Sequence, residues 1–293
     1  MGGALAAAFA VARETFAEAD ESLGSALSRL CLEGPAETLA LTEHAQPAIL
    51  TVSVAAWRVL SEASGVVPRA LAGHSLGEWS ALVAAGSLRF ADAVRGVRER
   101  GRLMQAAVPA GEGAMAAVMG LDADAVAALC AEAAAGQVVV PANLNGAGQV
   151  VVAGHAAAVD RVVALAADRH ARTRRLEVSA PFHSPLMAPA AAGLAAWLAE
   201  VPIADPALAV VSSVEARPLR DGADARRLLV AQVTAPVRWE GTIAALDAFA
   251  PAVALELGPG QVLSGLMKRL RPAVRALAVG DPSGLEAALE ALG

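Results

Sequence analysis

Along this chain apolar residues recur mostly at helical spacing, and short unbroken apolar runs separate the helical stretches. Leu5, Phe9 and Phe16 fall near one face, and Arg13, Glu14, Glu18 and Asp20 follow, so residues 1–12 predict an amphipathic helix rather than a basic-led signal peptide. Leu23, Leu27 and Leu30 continue the stripe until Gly34-Pro35 breaks it. Gln46-Pro47 predicts the opening of a helix that runs to about residue 64, with proline in its first turn. Residues 70–72 predict the end of a buried strand, and helical spacing at Trp79, Leu82 and Val83 follows, to near Gly86. A further helix over residues 91–107 stops before Pro109.

From Gly113 the elements shorten. Strands are predicted at residues 114–121, 138–142, 149–153 and 173–178, with a turn at 143–148. Helices are predicted at residues 122–135, where Asp122 is a cap, and at 156–170. The order β-α-β-β-α-β is that of a ferredoxin-like unit. A helix then starts at Ser184-Pro185, and the α/β pattern resumes with a strand at 209–213, a helix at 223–232, a strand at 253–257 and helices at 261–270 and 283–292. The expected fold is α/β, with residues 1–110 and 182–293 forming one core and residues 111–181 an inserted subdomain.

One strand-to-helix junction carries chemistry. Gly73-His74-Ser75-Leu76-Gly77 fits G-x-S-x-G, and strand, sharp turn and helix are the context of a nucleophile elbow. The glycines allow a turn too tight for larger side chains, and the first amides of the helix favour a developing oxyanion at Ser75. In the next helix, Ala93, Val97 and Met104 share a face that Arg100 interrupts, while Arg95, Arg98 and Arg102 form a separate solvent stripe. An inward arginine needs an anion, because an unpaired buried charge is costly. An internal carboxylate meets that need, and so does a ligand carboxylate gripped through two parallel hydrogen bonds. Of five histidines, His183 is the candidate base, since it sits just before the helix at Ser184-Pro185, whose positive end disfavours imidazolium. His44 and His170 lie in polar stretches, His155 follows a strand end, and His74 adjoins Ser75 with a diverging side chain.

Composition narrows the rest. Alanine inflates the 56% hydrophobic content, and no uninterrupted run suits a membrane span. A net charge of -6 argues against general nucleic-acid binding. Cys31 and Cys130 are far apart, form no metal motif, and suit small core residues in a reducing cytoplasm. Gly258-Pro259-Gly260 has the spacing of a strand-to-helix turn and lacks that of a phosphate loop.

Five motifs occur in one order: the elbow; Arg100-Gly101-Arg102-Leu103-Met104-Gln105; the stretch from Asn143 to Gly154; Pro181-Phe182-His183-Ser184-Pro185-Leu186-Met187; and Glu256-Leu257-Gly258-Pro259-Gly260. Together they resemble the malonyl-CoA:acyl carrier protein transacylase family, over nearly the whole chain. The resemblance implies an α/β-hydrolase-like core with an inserted ferredoxin-like subdomain. It implies Ser75 as the acylated nucleophile, His183 as general base and Arg100 as the holder of the malonate carboxylate. Phe182 matches the malonyl-preferring version, and Gln46 and Met104 join the substrate-contacting set. Gln232 matches the position whose main-chain carbonyl orients the histidine, and the Leu76 amide matches one oxyanion donor. Malonyl-CoA and the phosphopantetheinyl acyl carrier protein are the implied substrates, with no bound cofactor or metal, no nucleic acid, no membrane and a cytoplasmic setting.

The family's members begin with a strand and a Gly-Gln-Gly-Ser-Gln-type loop that supplies a second oxyanion donor, whereas this sequence begins at Met1-Gly2-Gly3, about where that segment ends. The expectation is therefore a misassigned start and weak activity. Two rivals stay open: a serine esterase or thioesterase, with a carboxylate behind the histidine and no inward arginine, and a non-catalytic chain that binds carrier protein. Carrier proteins are acidic as a class, and Arg169, Arg172, Arg174 and Arg175 form the densest basic cluster. That cluster is a candidate docking face, and equally what a solvated helix end and strand edge look like.

Overall fold

The structure is a computed structural model that describes residues 1–178 and 180–293. Five helices come first: α1 (Gly3–Ala8), α2 (Ala10–Leu23), α3 (Leu27–Glu33), α4 (Ala36–Ala40) and α5 (Thr42–Ser64). The helix expected over residues 1–12 is broken at Phe9, whose backbone is extended. The break lets Leu5 and Ala12, both fully buried, face one cluster with Ala55, Val59 and Leu285. The helix expected to open at Gln46-Pro47 starts at Thr42 instead, with Pro47 inside it. Proline this close to a helix start forfeits only one early hydrogen bond. The Gln46 Nε2 atom donates to Thr42 Oγ1 at 2.9 Å across that turn.

Strand β1 (Leu71–Ala72) leads through the elbow into α6 (Gly77–Ala84), and α7 (Phe90–Ala106) follows. Then come β2 (Gly113–Met119), α8 (Ala123–Ala133), β3 (Val139–Gly146), β4 (Gln149–His155), α9 (Ala156–Asp168) and β5 (Arg172–Arg175). Asp122 caps α8 as expected, accepting from the Ala125 amide at 2.8 Å. These strands form one antiparallel sheet in the order β3-β4-β2-β5. Its face towards α8 and α9 carries Ala116, Val118 and Val152 against Val126, Leu129, Val159 and Val162.

The segment expected as a turn at 143–148 is mostly strand. Bulges between Pro141 and Asn143 and between Leu144 and Gly146 keep β3 paired with β4, and the turn shrinks to Ala147-Gly148, at φ 50° and 70°. Two positive φ values suit the tight hairpin twist. On its other side β3 is paired again: the Val237 amide donates to the Ala142 carbonyl and the Leu144 amide to the Val237 carbonyl, both at 2.8 Å. A polar, glycine-rich run can thus stay extended, since its backbone is satisfied on both sides.

A 3-10 turn over Pro185–Met187 leads into α10 (Ala188–Ala199). After it come β6 (Val210–Val211), α11 (Gly222–Ala231), α12 (Trp239–Leu246), β7 (Val253–Leu257), α13 (Val262–Leu270), β8 (Arg275–Val279) and α14 (Pro282–Leu292). Strands β1 and β6 pair in parallel, as do β7 and β8, in two separate ladders. The molecule is thus a mixed α/β fold. Its largest core packs α5, α6, α7 and α10 around Trp79, Leu82, Val97, Met104 and Leu194. The Glu256 carboxylate caps α13, taking the Leu263 and Ser264 amides at 3.0 and 2.7 Å, which gives the Glu256-Leu257-Gly258 motif a structural role. Among the described residues no helix is long and apolar enough to cross a membrane.

Candidate active site

Three separate segments meet at Ser75. The elbow is tight at Gly73, where a Cβ would lie 1.8 Å from the Gly77 carbonyl carbon; at Gly77, contrary to the expectation, a Cβ would meet nothing within 4 Å. Ser75 stands at its apex with φ 50°, a strained value for a residue with a side chain. Among the described residues the Leu76 amide has no hydrogen-bond acceptor, so it remains available to an oxyanion.

His183 comes from the loop between β5 and the 3-10 turn, also at positive φ, 58°. Its Nε2 lies 2.8 Å from Ser75 Oγ. Its Nδ1 lies 2.8 Å from the Gln232 carbonyl and 3.2 Å from that of Ala235. The Gln232 carbonyl is left over at the C-terminal end of α11, where no helical amide can reach it, and that of Ala235 follows in the turn beyond. A carbonyl can only accept, so Nδ1 carries the proton and Nε2 presents its lone pair to serine. Burial, and next the charge of Arg100, push the His183 pKa down to about 3, and the Gln232 carbonyl partly opposes this. The helix end invoked from the sequence is not the main cause of the neutral ring. The Ser184 Oγ caps no helix end and donates instead to the Pro181 carbonyl at 2.7 Å.

Arg100 comes from α7 and is 2% exposed. Helix α7 reaches the site by crossing the first turn of α5 at Gly101, where a Cβ would lie 2.6 Å from the Thr42 carbonyl oxygen. That contact joins the two arms: Arg100 Nη1 donates to Gln46 Oε1 at 2.7 Å, and Nη2 donates to Ser75 Oγ and Gln232 Oε1, each at 3.0 Å. All three acceptors are neutral, and the Nε–H is buried with no partner among the described residues. Burial lowers the Arg100 pKa to about 10, with the charge of Glu78 opposing it, so the guanidinium stays charged at neutral pH. The internal carboxylate that the sequence left open is not in contact with it. Met104 lies on the same helix face, with its Sδ 3.8 Å from Gln46 Nε2. Phe182 is half-buried and bridges two clusters, the main core and the Met115, Ala117 and Ala142 face of the four-stranded sheet.

Of the eight residues singled out from the sequence, seven are joined here by the elbow and these contacts, and Phe182, next to His183 in the chain, packs into the main core and the sheet face. Glu78, Ser213 and Asn145 were missed. Glu78 is fully buried on the first turn of α6. It occupies the same helical row as Leu82, so the stripe argument that found Arg100 could have found it. His74 turns away from Ser75, as expected, and its Nε2 meets Asn145 Oδ1 at 3.0 Å. Burial holds its pKa low.

The acyl transferase domain family matches residues 1–278. The malonyl CoA-acyl carrier protein transacylase of Salmonella typhimurium is 47% identical over 286 residues, covering 97% of this chain and 93% of its own length. The structure of malonyl-CoA:acyl carrier protein transacylase from Xanthomonas oryzae superposes with a TM-score of 0.97 at 47% identity, over 99% of this chain and 93% of that one. A malonyl-transacylase solved in complex with its type II PKS acyl-carrier protein gives 0.96 at 45% identity, over 99% and 94%. On its residues, its fold and these relatives alike, this chain belongs to the acyl transferase domain family.

Proposed function

We propose that this chain moves a malonyl group from malonyl-CoA to the phosphopantetheine thiol of acyl carrier protein, through an ester on Ser75. The observation that carries this reading is Arg100, a buried cation touching the nucleophile's hydroxyl with only neutral acceptors around it. Such a site favours an acyl group that ends in an anion. Malonyl has that carboxylate and acetyl lacks it.

In the proposed reaction Ser75 Oγ attacks the thioester carbon as its proton passes to His183 Nε2. The Leu76 amide holds the oxyanion. Collapse expels the CoA thiolate, which takes the proton from His183. The carrier thiol then attacks the ester, giving its proton to His183, which returns one to Ser75. A substrate carboxylate on Arg100 offsets part of the charge that weakens His183, so the base strengthens in the loaded site. Gln46 steadies Arg100 from the α5 side, Met104 of α7 meets the Gln46 carboxamide, and Phe182 walls the acyl pocket. The scheme uses no resident cofactor. An esterase or thioesterase would place a carboxylate at His183 Nδ1, where main-chain carbonyls stand instead.

We read the four-stranded sheet with α8 and α9 as a ferredoxin-like subdomain over residues 111–181, and the remainder as an α/β-hydrolase-like core. Mass spectrometry of the intact protein after mixing with malonyl-CoA, then with holo carrier protein, tests the function. A malonyl adduct that leaves onto the carrier supports it. CoA release to water alone points to a hydrolase, and no release points to a carrier-binding chain without activity.

A further inference from the structure

None of these steps uses the buried carboxylate beside them. Glu78 Oε2 accepts three hydrogen bonds: from the Ser213 amide at 3.1 Å, the Ser213 hydroxyl at 2.8 Å and Gln232 Nε2 at 2.8 Å. Its other oxygen, Oε1, is buried with no partner among the described residues. Burial raises its pKa, and the donors from Ser213 and Gln232 pull it back. A buried carboxyl group held this way is a poor source of stability, because a well-packed apolar side chain is often as good or better. The reason for it therefore lies in what it touches.

Gln232 is the link. Its main-chain carbonyl takes His183 Nδ1, and its side-chain Oε1 takes Arg100 Nη2. A carboxamide can present either its oxygen or its nitrogen, and its neighbours decide which. Glu78 Oε2, already taking the Ser213 amide and hydroxyl, stands here as an acceptor, so it admits only the Nε2 side. The carboxamide oxygen must then face the guanidinium. Contacts close a ring: Ser75 to His183 at 2.8 Å, His183 to Gln232 at 2.8 Å, Gln232 to Arg100 at 3.0 Å and Arg100 back to Ser75 at 3.0 Å. Glu78 grips this ring at Gln232, and it rises from the same helix start as Ser75. We infer that Glu78 is a positioning residue, fixing the Gln232 carboxamide so that Arg100 stays aligned with Ser75 for an anionic acyl group. The nature of that acyl group rests on the malonyl-transfer reading; the placement of Arg100 does not.

The variants Glu78→Gln and Gln232→Met and their double combination test this. Glu78→Gln gives Gln232 a neighbour that donates as well as accepts, so the carboxamide is no longer held by its Nε2 end and turns away from Arg100 more easily; KM for malonyl-CoA should rise about tenfold while kcat changes less than about threefold. The double variant should be no worse than the worse single one, because both act through the same carboxamide. A crystal structure of Glu78→Gln should show the guanidinium displaced from Ser75. Independent losses that add, equal proportional losses for malonyl-CoA and acetyl-CoA, or an unmoved Arg100 would each overturn the inference. If Glu78→Gln does not fold, the position of Arg100 in Gln232→Met decides the matter in the same way. If the unaltered protein forms no malonyl-Ser75, the transfer reading falls, and the crystal structure still judges the role of Glu78.

Discussion

Ser75 and His183, whose side chains meet at 2.8 Å, both hold left-handed backbone conformations, at φ 50° and 58°. The strain at Ser75 can be separated from its chemistry. Ser75→Ala and Ser75→Gly both remove the hydroxyl, so neither should form an acyl adduct by intact mass. Only glycine relieves the conformation, by roughly 1 kcal/mol. Ser75→Gly should therefore melt a few degrees above Ser75→Ala. Equal melting temperatures would mean that the elbow stores no such strain, and an adduct on either variant would remove Ser75 from its role.

Arg100→Ala should lower kcat/KM for malonyl-CoA far more than for acetyl-CoA. Cutting one side of a shielded arginine-carboxylate pair costs about 3–5 kcal/mol, which is on the order of a hundredfold to several thousandfold in rate. Initial rates of CoA release with the two thioesters measure it. Equal losses would leave Arg100 a structural cation.

The low pKa of His183 sets a pH dependence whose sign is fixed. In the unfolded chain an imidazole titrates near about 6.5, and in the folded chain His183 stays neutral down to about 3. Between those values the unfolded state binds a proton that the folded state refuses. Stability is thus intact above about pH 6.5 and is lost as pH falls towards 3, by at most about 1.4 kcal/mol per unit from this group. His74, also held low by burial, adds in the same direction. Melting temperatures between pH 7.5 and 5 should fall less steeply in His183→Gln than in the unaltered protein. The acid limb of kcat/KM should lie below the ordinary imidazole range; a limb near pH 6.5 would contradict the assigned environment.

Docking of the acidic carrier protein is proposed to use Arg172 and Arg174 on the edge strand β5. Of the four arginines in that cluster, Arg175 pairs with Asp160 and Arg169 with Glu132, while Arg172 and Arg174 are exposed without an ion-pair partner among the described residues. Raising salt should then raise KM for carrier protein and leave KM for malonyl-CoA nearly unchanged. Neutralising Arg172 and Arg174 together should flatten that salt response. Salt-independent kinetics would place the docking face elsewhere.

The elbow was legible because its sequence states both its geometry and its neighbours: a glycine, Gly73, where a Cβ would collide, between an apolar run and a helix. Arg100 was legible as a charge in an apolar row. His183 was found by its junction, though for a reason the structure replaces with burial and a nearby cation. Gln232 was named through family resemblance and helix-end logic. Glu78 sits in the same motif as Ser75 yet went unread, because one acidic residue in a helix's first turn ordinarily faces water and favours the helix end. Asn145 was hidden by a run that local propensity assigns to a turn, which pairing with Val237 on the far side makes a strand. Helix α12 and strand β8 were missed where alanine-rich sequence blurs any period.

That seam has a consequence for how the protein comes apart. Strand β3 is bound to the Val237 backbone by two hydrogen bonds, Asn145 to His74 beside the nucleophile, and Val237 follows closely on Ala235, whose carbonyl faces His183. The four-stranded sheet is therefore not a module that can breathe apart from the catalytic residues. Opening it would unseat the base and the elbow together. Amide protons of Leu144 and Val237 should exchange as slowly as those of the main core, and loss of activity on heating should coincide with loss of structure instead of preceding it.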